Sequence, residues 1–261
     1  MRLPRCTASF FRSLTQPFSI ESLMPPLNRL ALIGYGKMGR LIEQLAPEYG
    51  FEVVLTLGGA HNADASAITP ERFHGVDVAI EFTTPEAASR NLVRLAELKV
   101  PVITGTTGWL DRLPEIAAAV ERSGAALVWS ANFSVGVAVF RKLAARAAEL
   151  LRDQEEYGAW AWEIHHDAKK DAPSGTLLSL LRTMEESGYT RPINVSSNRA
   201  GKHPGTHEIG FDSAADTITL RHVARTREGF ARGALKAARW IPGRRGVFTF
   251  DDVLFGSKDG T

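Results

Sequence analysis

From residue 29 onward, short apolar runs alternate with segments whose apolar residues recur every three or four positions. Residues 30 to 33 read as a strand that runs into Gly34-Tyr35-Gly36-Lys37-Met38-Gly39 and then into a helix marked by Leu41, Ile42 and Leu45. Further strands are predicted over residues 51 to 57, 76 to 82, 100 to 104 and 125 to 129, with a helix started by Pro85 after the third. Strand, turn and helix in this succession predict an α/β fold built on a Rossmann-type, doubly wound parallel sheet.

Past Asn132 the pattern changes. A helix is predicted over residues 135 to 151. Residues 157 to 164 then alternate with period two, Tyr157, Ala159, Ala161 and Glu163 against Trp160, Trp162 and Ile164, so His165 and His166 stand at a strand end. Leu177, Leu178, Leu180, Leu181 and Met184 restore helical spacing over residues 174 to 187, and strands follow near 194 to 198, 206 to 211 and 216 to 222. Strands in succession with few helices predict a second, α+β domain with a mixed or antiparallel open sheet. A last helix leads to Trp240, and a final strand is predicted over residues 247 to 250.

Composition narrows the class. With 31 basic and 29 acidic residues the net charge is +2, which argues against a dedicated nucleic-acid binder. The single cysteine, Cys6, excludes an internal disulfide framework and a cysteine-based zinc site. No apolar run reaches membrane-spanning length, so a cytoplasmic protein with no membrane partner is expected. Residues 1 to 27 carry Arg2, Arg5 and Arg12, one acid, Glu21, and prolines 4, 17, 25 and 26; they are expected to be a disordered extension. An organelle-targeting segment and an upstream start before Met24 both fit, and the prolines, which break any long amphipathic helix, favour the upstream start.

The glycine turn has the context a dinucleotide site requires. Gly34 permits the tight turn, Gly36 lets the backbone approach a pyrophosphate, and Gly39 lets the helix pack on the strand. No acid follows the second strand where an NAD site usually holds the ribose hydroxyls, and Lys37 and Arg40 could attract a 2′-phosphate, so NADPH and NADH both stay open. Three successive strands end in small or hydroxyl-rich loops at the carboxyl edge where ligands bind: Phe82-Thr83, Gly105-Thr106-Thr107 and Ser130-Ala131-Asn132-Phe133. In the second domain, Trp162 to Thr176 gathers imidazoles (His165, His166), ammonium groups (Lys169, Lys170) and a helix start at Pro173-Ser174-Gly175-Thr176 that favours an anion. A metal site is not expected, because adjacent strand residues point to opposite faces and no carboxylate-histidine spacing accompanies the pair.

The run His165-His166-x-x-Lys169-x-Asp171-Ala172-Pro173-Ser174-Gly175-Thr176 resembles the signature of the dihydrodipicolinate reductase family, and the resemblance extends from about residue 28 to 254. It implies reduction of a cyclic, unsaturated pyridine dicarboxylate, hydroxylated or not, with NADPH or NADH, in the diaminopimelate route of lysine biosynthesis. It implies His165 as general acid and Lys169 as the group that stabilises developing charge or delivers a proton. His166, Ser174, Gly175 and Thr176 would hold a carboxylate. On the cofactor side it implies Gly34, Tyr35, Gly36, Lys37, Met38 and Gly39, with Phe82, Thr83, Gly105, Thr106, Thr107, Ser130, Ala131, Asn132 and Phe133. The implied domains are residues 28 to 131 with 233 to 261 for the dinucleotide, and 132 to 232 for substrate and oligomerisation, in a homo-tetramer. Another two-domain nicotinamide dehydrogenase and a non-catalytic nucleotide sensor are the competing readings. Asp171 reads as a structural cap or as the partner that orients Lys169, and the cap is favoured.

Overall fold

A computed structural model of the chain describes residues 28–59, 62 and 64–256; the expected extension over residues 1 to 27 lies outside them. In chain order the first part comprises β1 (Asn28–Ile33), α1 (Lys37–Leu45), β2 (Phe51–Leu57), β3 (Val78–Glu81), α2 (Pro85–Glu97), β4 (Val102–Thr104), α3 (Leu113–Ser123) and β5 (Ala126–Trp129). The second comprises α4 (Val135–Leu151), β6 (Gly158–His165), α5 (Gly175–Glu186), β7 (Ile193–Arg199), β8 (Thr206–Asp212) and β9 (Thr217–Val223). The chain ends in α6 (Glu228–Trp240), β10 (Gly246–Thr249) and α7 (Phe250–Phe255).

One sheet is six-stranded, wholly parallel and ordered β10-β5-β4-β3-β1-β2. It is buried on both faces because successive strand residues point opposite ways. Leu30 and Leu32 pack with Ile42 of α1 and with Ala234 and Leu235 of α6, while Ala31 and Ile33 pack with Leu92 of α2 and Ile116 of α3. The other sheet is ordered β7-β6-β8-β9, with β6 and β7 parallel and the remaining pairs antiparallel. Ala159, Ala161, Ile209 and Phe211 fill one of its faces against Phe140 of α4 and Leu177, Leu180 and Met184 of α5. The doubly wound parallel sheet and the mixed second sheet agree with the hydrophobic pattern.

Two differences are instructive. The pattern names no helix between residues 104 and 125, and α3 occupies that stretch; its buried face is Ile116, Ala119 and Val120, and Ala117 to Ala119 blur the contrast between faces. The final helix begins at Glu228, so Gly233, read as the start of the returning segment, lies inside α6. Its role is close packing: a Cβ there would stand 1.7 Å from the Phe133 carbonyl oxygen.

Candidate active site

The glycine turn closes β1 onto α1. Gly34 sits at φ +93°, where a Cβ would meet the Phe82 carbonyl oxygen at 1.8 Å, and a Cβ on Gly39 would meet the Gly34 carbonyl oxygen at 2.3 Å. Gly36 opens instead onto free space and caps α1 without a side-chain bond or an acid in the first turn. Gly36, Lys37, Met38 and Gly39 line a cleft of about 440 Å³ with Phe82, Thr83, Gly105, Thr106 and Thr107. Uncapped N–H groups of a helix start beside an open glycine fit the pyrophosphate of a dinucleotide. Tyr35 turns away from that cleft, its hydroxyl donating to Glu43 and its ring under Arg40.

Beneath the loops lies Glu81, a buried carboxyl at the end of an otherwise apolar strand. It accepts from the Thr83 hydroxyl and, at 2.5 Å, from the Thr104 hydroxyl, while Thr106 Oγ1 accepts the Thr83 N–H at 2.8 Å. Burial pushes the Glu81 carboxyl up against the opposing pull of those hydroxyls. Phe133 is buried below, edge-on to Phe82 and 4.9 Å from the Phe250 ring. Seven residues past the end of β2, Asp64 accepts the Ser66 N–H at 3.1 Å, and bonds from Ser66 hold its carboxyl below the usual range.

Thr107 joins this cleft to a larger one of about 750 Å³ between the two sheets. Ser130, Ala131 and Asn132 form one wall, and Lys169, Gly175 and Thr176 the other; Asn132 Nδ2 donates to Thr176 Oγ1 at 3.4 Å across the gap. Ser174, an expected anion ligand, is buried as the cap of α5, its hydroxyl accepting the Leu177 N–H at 3.1 Å. Lys169 Nζ donates to both oxygens of Asp171, at 2.7 and 2.9 Å, and Asp171 also accepts the Gly175 N–H at 3.4 Å. The aspartate therefore both orients the lysine and ties the helix start, and the ammonium group holds its carboxyl below the usual range.

Neither His165 nor His166 lines the large cleft. His166 is half-buried beyond the strand end, and His165, 7% exposed, lies on the buried face of β6 beside Glu163 and His207. From the sequence, His203, His207 and His222 could line a substrate cleft but are more often surface histidines, and Glu163 has no role beyond its place in the alternation. Pairing of Glu163 with His207 across β6 and β8 is what unites them, a contact between residues 44 positions apart. The available signal was a carboxylate between Ala161 and His165 on the side of β6 that also carries Ala159.

The chain matches the family models described as dihydrodipicolinate reductase, N-terminus, over residues 28–133, and dihydrodipicolinate reductase, C-terminus, over residues 136–254. It belongs to the dihydrodipicolinate reductase family. Curated relatives are 4-hydroxy-tetrahydrodipicolinate reductases: that of Christiangramia forsetii is 34% identical over 237 residues, 86% of this chain and 97% of the relative. That of Archaeoglobus fulgidus is 36% identical over 263 residues, covering 87% and 99%. In fold, the chain is similar to the dipicolinate-bound dihydrodipicolinate reductase of Paenisporosarcina sp. TG-14, with a TM-score of 0.73 at 21% identity, covering 85% of this chain and 97% of that one. As a member of the reductase family the chain is an oxidoreductase that uses NADH or NADPH. Among the described residues no helix is long and apolar enough to cross a membrane.

Proposed function

We propose that the joined clefts carry out the reduction of a (hydroxy-)dihydrodipicolinate to tetrahydrodipicolinate in the diaminopimelate route of lysine biosynthesis. The observation that carries this reading is the facing of the α1 N-terminus and its glycine turn, through Thr107, toward a wall bearing Lys169 and the N-terminus of α5. A nicotinamide bound along the first cleft supplies the hydride. Gly36 and the first-turn N–H groups would hold its pyrophosphate on a turn that Gly34 closes, while Thr83, Gly105 to Thr107 and Ser130 to Phe133 would shape the nicotinamide end. The Thr176 N–H and hydroxyl, at the helix start that Gly175 opens, receive one substrate carboxylate, with Lys169 beside it. His165 supplies the proton that accompanies the hydride, so one acceptor, one NAD(P)H and one proton give the reduced ring and NAD(P)⁺; a 4-hydroxylated acceptor also loses water.

The test is turnover. Purified protein is given the acceptor, generated in situ by the synthase that precedes it, with NADH or NADPH, and cofactor absorbance is followed. Oxidation of either cofactor is expected; cofactor binding without oxidation would turn the reading toward a sensor. Lys37 and Arg40, and an Asp64 engaged in its own turn, support NADPH as the better donor, which the ratio of the two rates reads out.

The face of the second sheet opposite α4 and α5 keeps Trp160, Trp162 and Ile164 half-exposed and Val223 exposed. We infer that copies of the chain meet there as a homo-tetramer. Multi-angle light scattering is expected to give four times the 28.5 kDa chain mass. A monomer mass at micromolar concentration would remove the inference.

A further inference from the structure

The two oxygens of the Glu163 carboxylate, which is fully buried, have different surroundings. Oε1 accepts from the Ser174 N–H at 2.8 Å, the Ser197 hydroxyl at 3.0 Å and the Arg199 guanidinium at 3.1 Å. Oε2 has no hydrogen-bond partner and faces His165 Nδ1 at 3.5 Å and His207 Nε2 at 3.4 Å. His165 Nδ1 is itself buried without a partner. A buried acceptor facing a buried ring nitrogen is satisfied when that nitrogen carries a proton.

We propose that Glu163 is the positioning residue for His165: its Oε2 takes the Nδ1–H, which leaves Nε2 as the nitrogen that carries and releases the reactive proton. This rests on His165 being the proton donor of the reaction proposed above. The far edge of the ring is kept clear by Gly205, where even a Cβ would crowd Nε2 at 3.0 Å. The same carboxylate reaches the substrate wall, since Oε1 receives the N–H of Ser174, the residue that caps α5 next to Gly175 and Thr176. Orientation of the proton donor and placement of the anion-binding helix start thus share one anchor.

The charges around His165 explain why the anchor must be anionic. Burial lowers the affinity of His165 for a second proton, and the Lys169 and Arg199 cations lower it further, while Glu163 and, more weakly, Asp171 raise it. Burial first opposes the charge on Glu163 too, but the bonds from Ser174, Ser197 and Arg199 outweigh it and hold that carboxyl below its ordinary value. His207, whose ring stands 5.0 Å from that of His165, is pushed down to about 4 by burial and by His165, with His222 adding to the effect. It is therefore neutral near pH 7, a hydrogen-bond neighbour of Ser174 Oγ at 3.2 Å and not a second charge. A divalent cation is the other group that could satisfy Oε2, since one ligand atom each from Glu163, His165 and His207 lie within 4.8 Å of one another. Arg199 on the same carboxylate and Lys169 near His165 cancel the negative charge such an ion would need.

Glu163→Gln is the discriminating variant. Two fixed donors, the Ser174 N–H and Arg199, require the amide oxygen at the Oε1 position, so the amide NH₂ is turned toward His165 Nδ1 and donates to it. The His165 proton then moves to Nε2, the wrong tautomer. A general acid works as imidazolium, below its pKa; without the anion that pKa falls, so activity disappears at lower pH. Expected are a fall in kcat/KM of about 100-fold or more, an alkaline limb of the pH profile displaced to lower pH, and unchanged cofactor affinity. Glu163→Asp, which keeps the charge, is expected to restore the limb. Long-range ¹⁵N–¹H spectra are expected to show neutral His165 protonated on Nδ1 in the wild type and on Nε2 in Glu163→Gln. Wild-type His165 protonated on Nε2 overturns the proposal whether or not the variant folds. So does a Glu163→Gln enzyme with the wild-type pH limb, or stoichiometric Zn²⁺ binding by the wild type that Glu163→Gln abolishes. The tautomer is read without turnover, so a protein inactive on the acceptor, or a His165→Ala variant that stays active, sinks the reaction assignment separately.

Discussion

Lys169→Ala is expected to lower kcat/KM about a thousandfold, which is about 4 kcal/mol of transition-state stabilisation, with cofactor affinity within twofold of wild type. Lys169 is a cation of the large cleft, which Arg141 and Arg182 also line, with its side chain 25% exposed and its Nζ held by both oxygens of Asp171. Hydride arriving at an unsaturated ring leaves negative charge on the acceptor, and a preorganised ammonium group in a half-enclosed cleft stabilises that charge more than the neutral ground state. Because the first cleft does not include Lys169, cofactor affinity measured by fluorescence titration should not follow kcat/KM down. Lys169→Arg is expected to recover little, since a planar guanidinium would pair bidentately with Asp171 and would not leave a compact ammonium charge at the same point of the cleft. A fall of less than tenfold in Lys169→Ala would remove the lysine from the chemistry and leave it as a loop tie.

Gly34→Ala is expected to cost the fold as well as the cofactor. The new Cβ would lie 1.8 Å from the Phe82 carbonyl oxygen and 2.6 Å from its carbon, both backbone atoms of the neighbouring loop, at a φ of +93° that side chains avoid. Neither the sheet pair β1–β3 nor the turn can yield without breaking the Phe82 N–H bond to Ile33 O at 2.8 Å. Strain and displacement together amount to about 4 kcal/mol or more, a fall in melting temperature of about 10 °C or more. Gly36→Ala is the control: nothing lies within 4 Å of its Cβ, so the melting temperature should hold while dinucleotide affinity falls. Equal melting temperatures for the two variants, followed by circular dichroism, would show that Gly34 is not the packing constraint described here.

The division between what was legible in the chain and what was not follows the range of the interactions. Period-two and period-3.6 patterns are set by residues a few positions apart, so β2 and α4 agree with their predicted bounds at both ends and the other predicted elements within a few residues. Capping is equally local: Ser174 accepting the Leu177 N–H and Thr84 accepting the Ala87 N–H are readable as helix starts. The α3 segment escaped because alanines on both faces leave no contrast to read.

Segments that line the clefts from one loop or turn were legible as well, since Gly36 to Gly39 and Lys169 to Thr176 each lie within a few residues of chain. By itself the sequence determined the two sheet types, the glycine turn and the helix start capped by Ser174, all products of short-range sterics and periodicity. Tertiary structure alone decided that His165 is buried outside the lining of the large cleft, that Glu81 ties the loop after β3 to the end of β4, and that Glu163, His165, Ser174, His207 and Arg199 form one network. Those contacts join strands and loops up to 44 positions apart. They form because sheet register brings polar atoms out of water together, and a desolvated carboxylate must then find its partners wherever the chain supplies them.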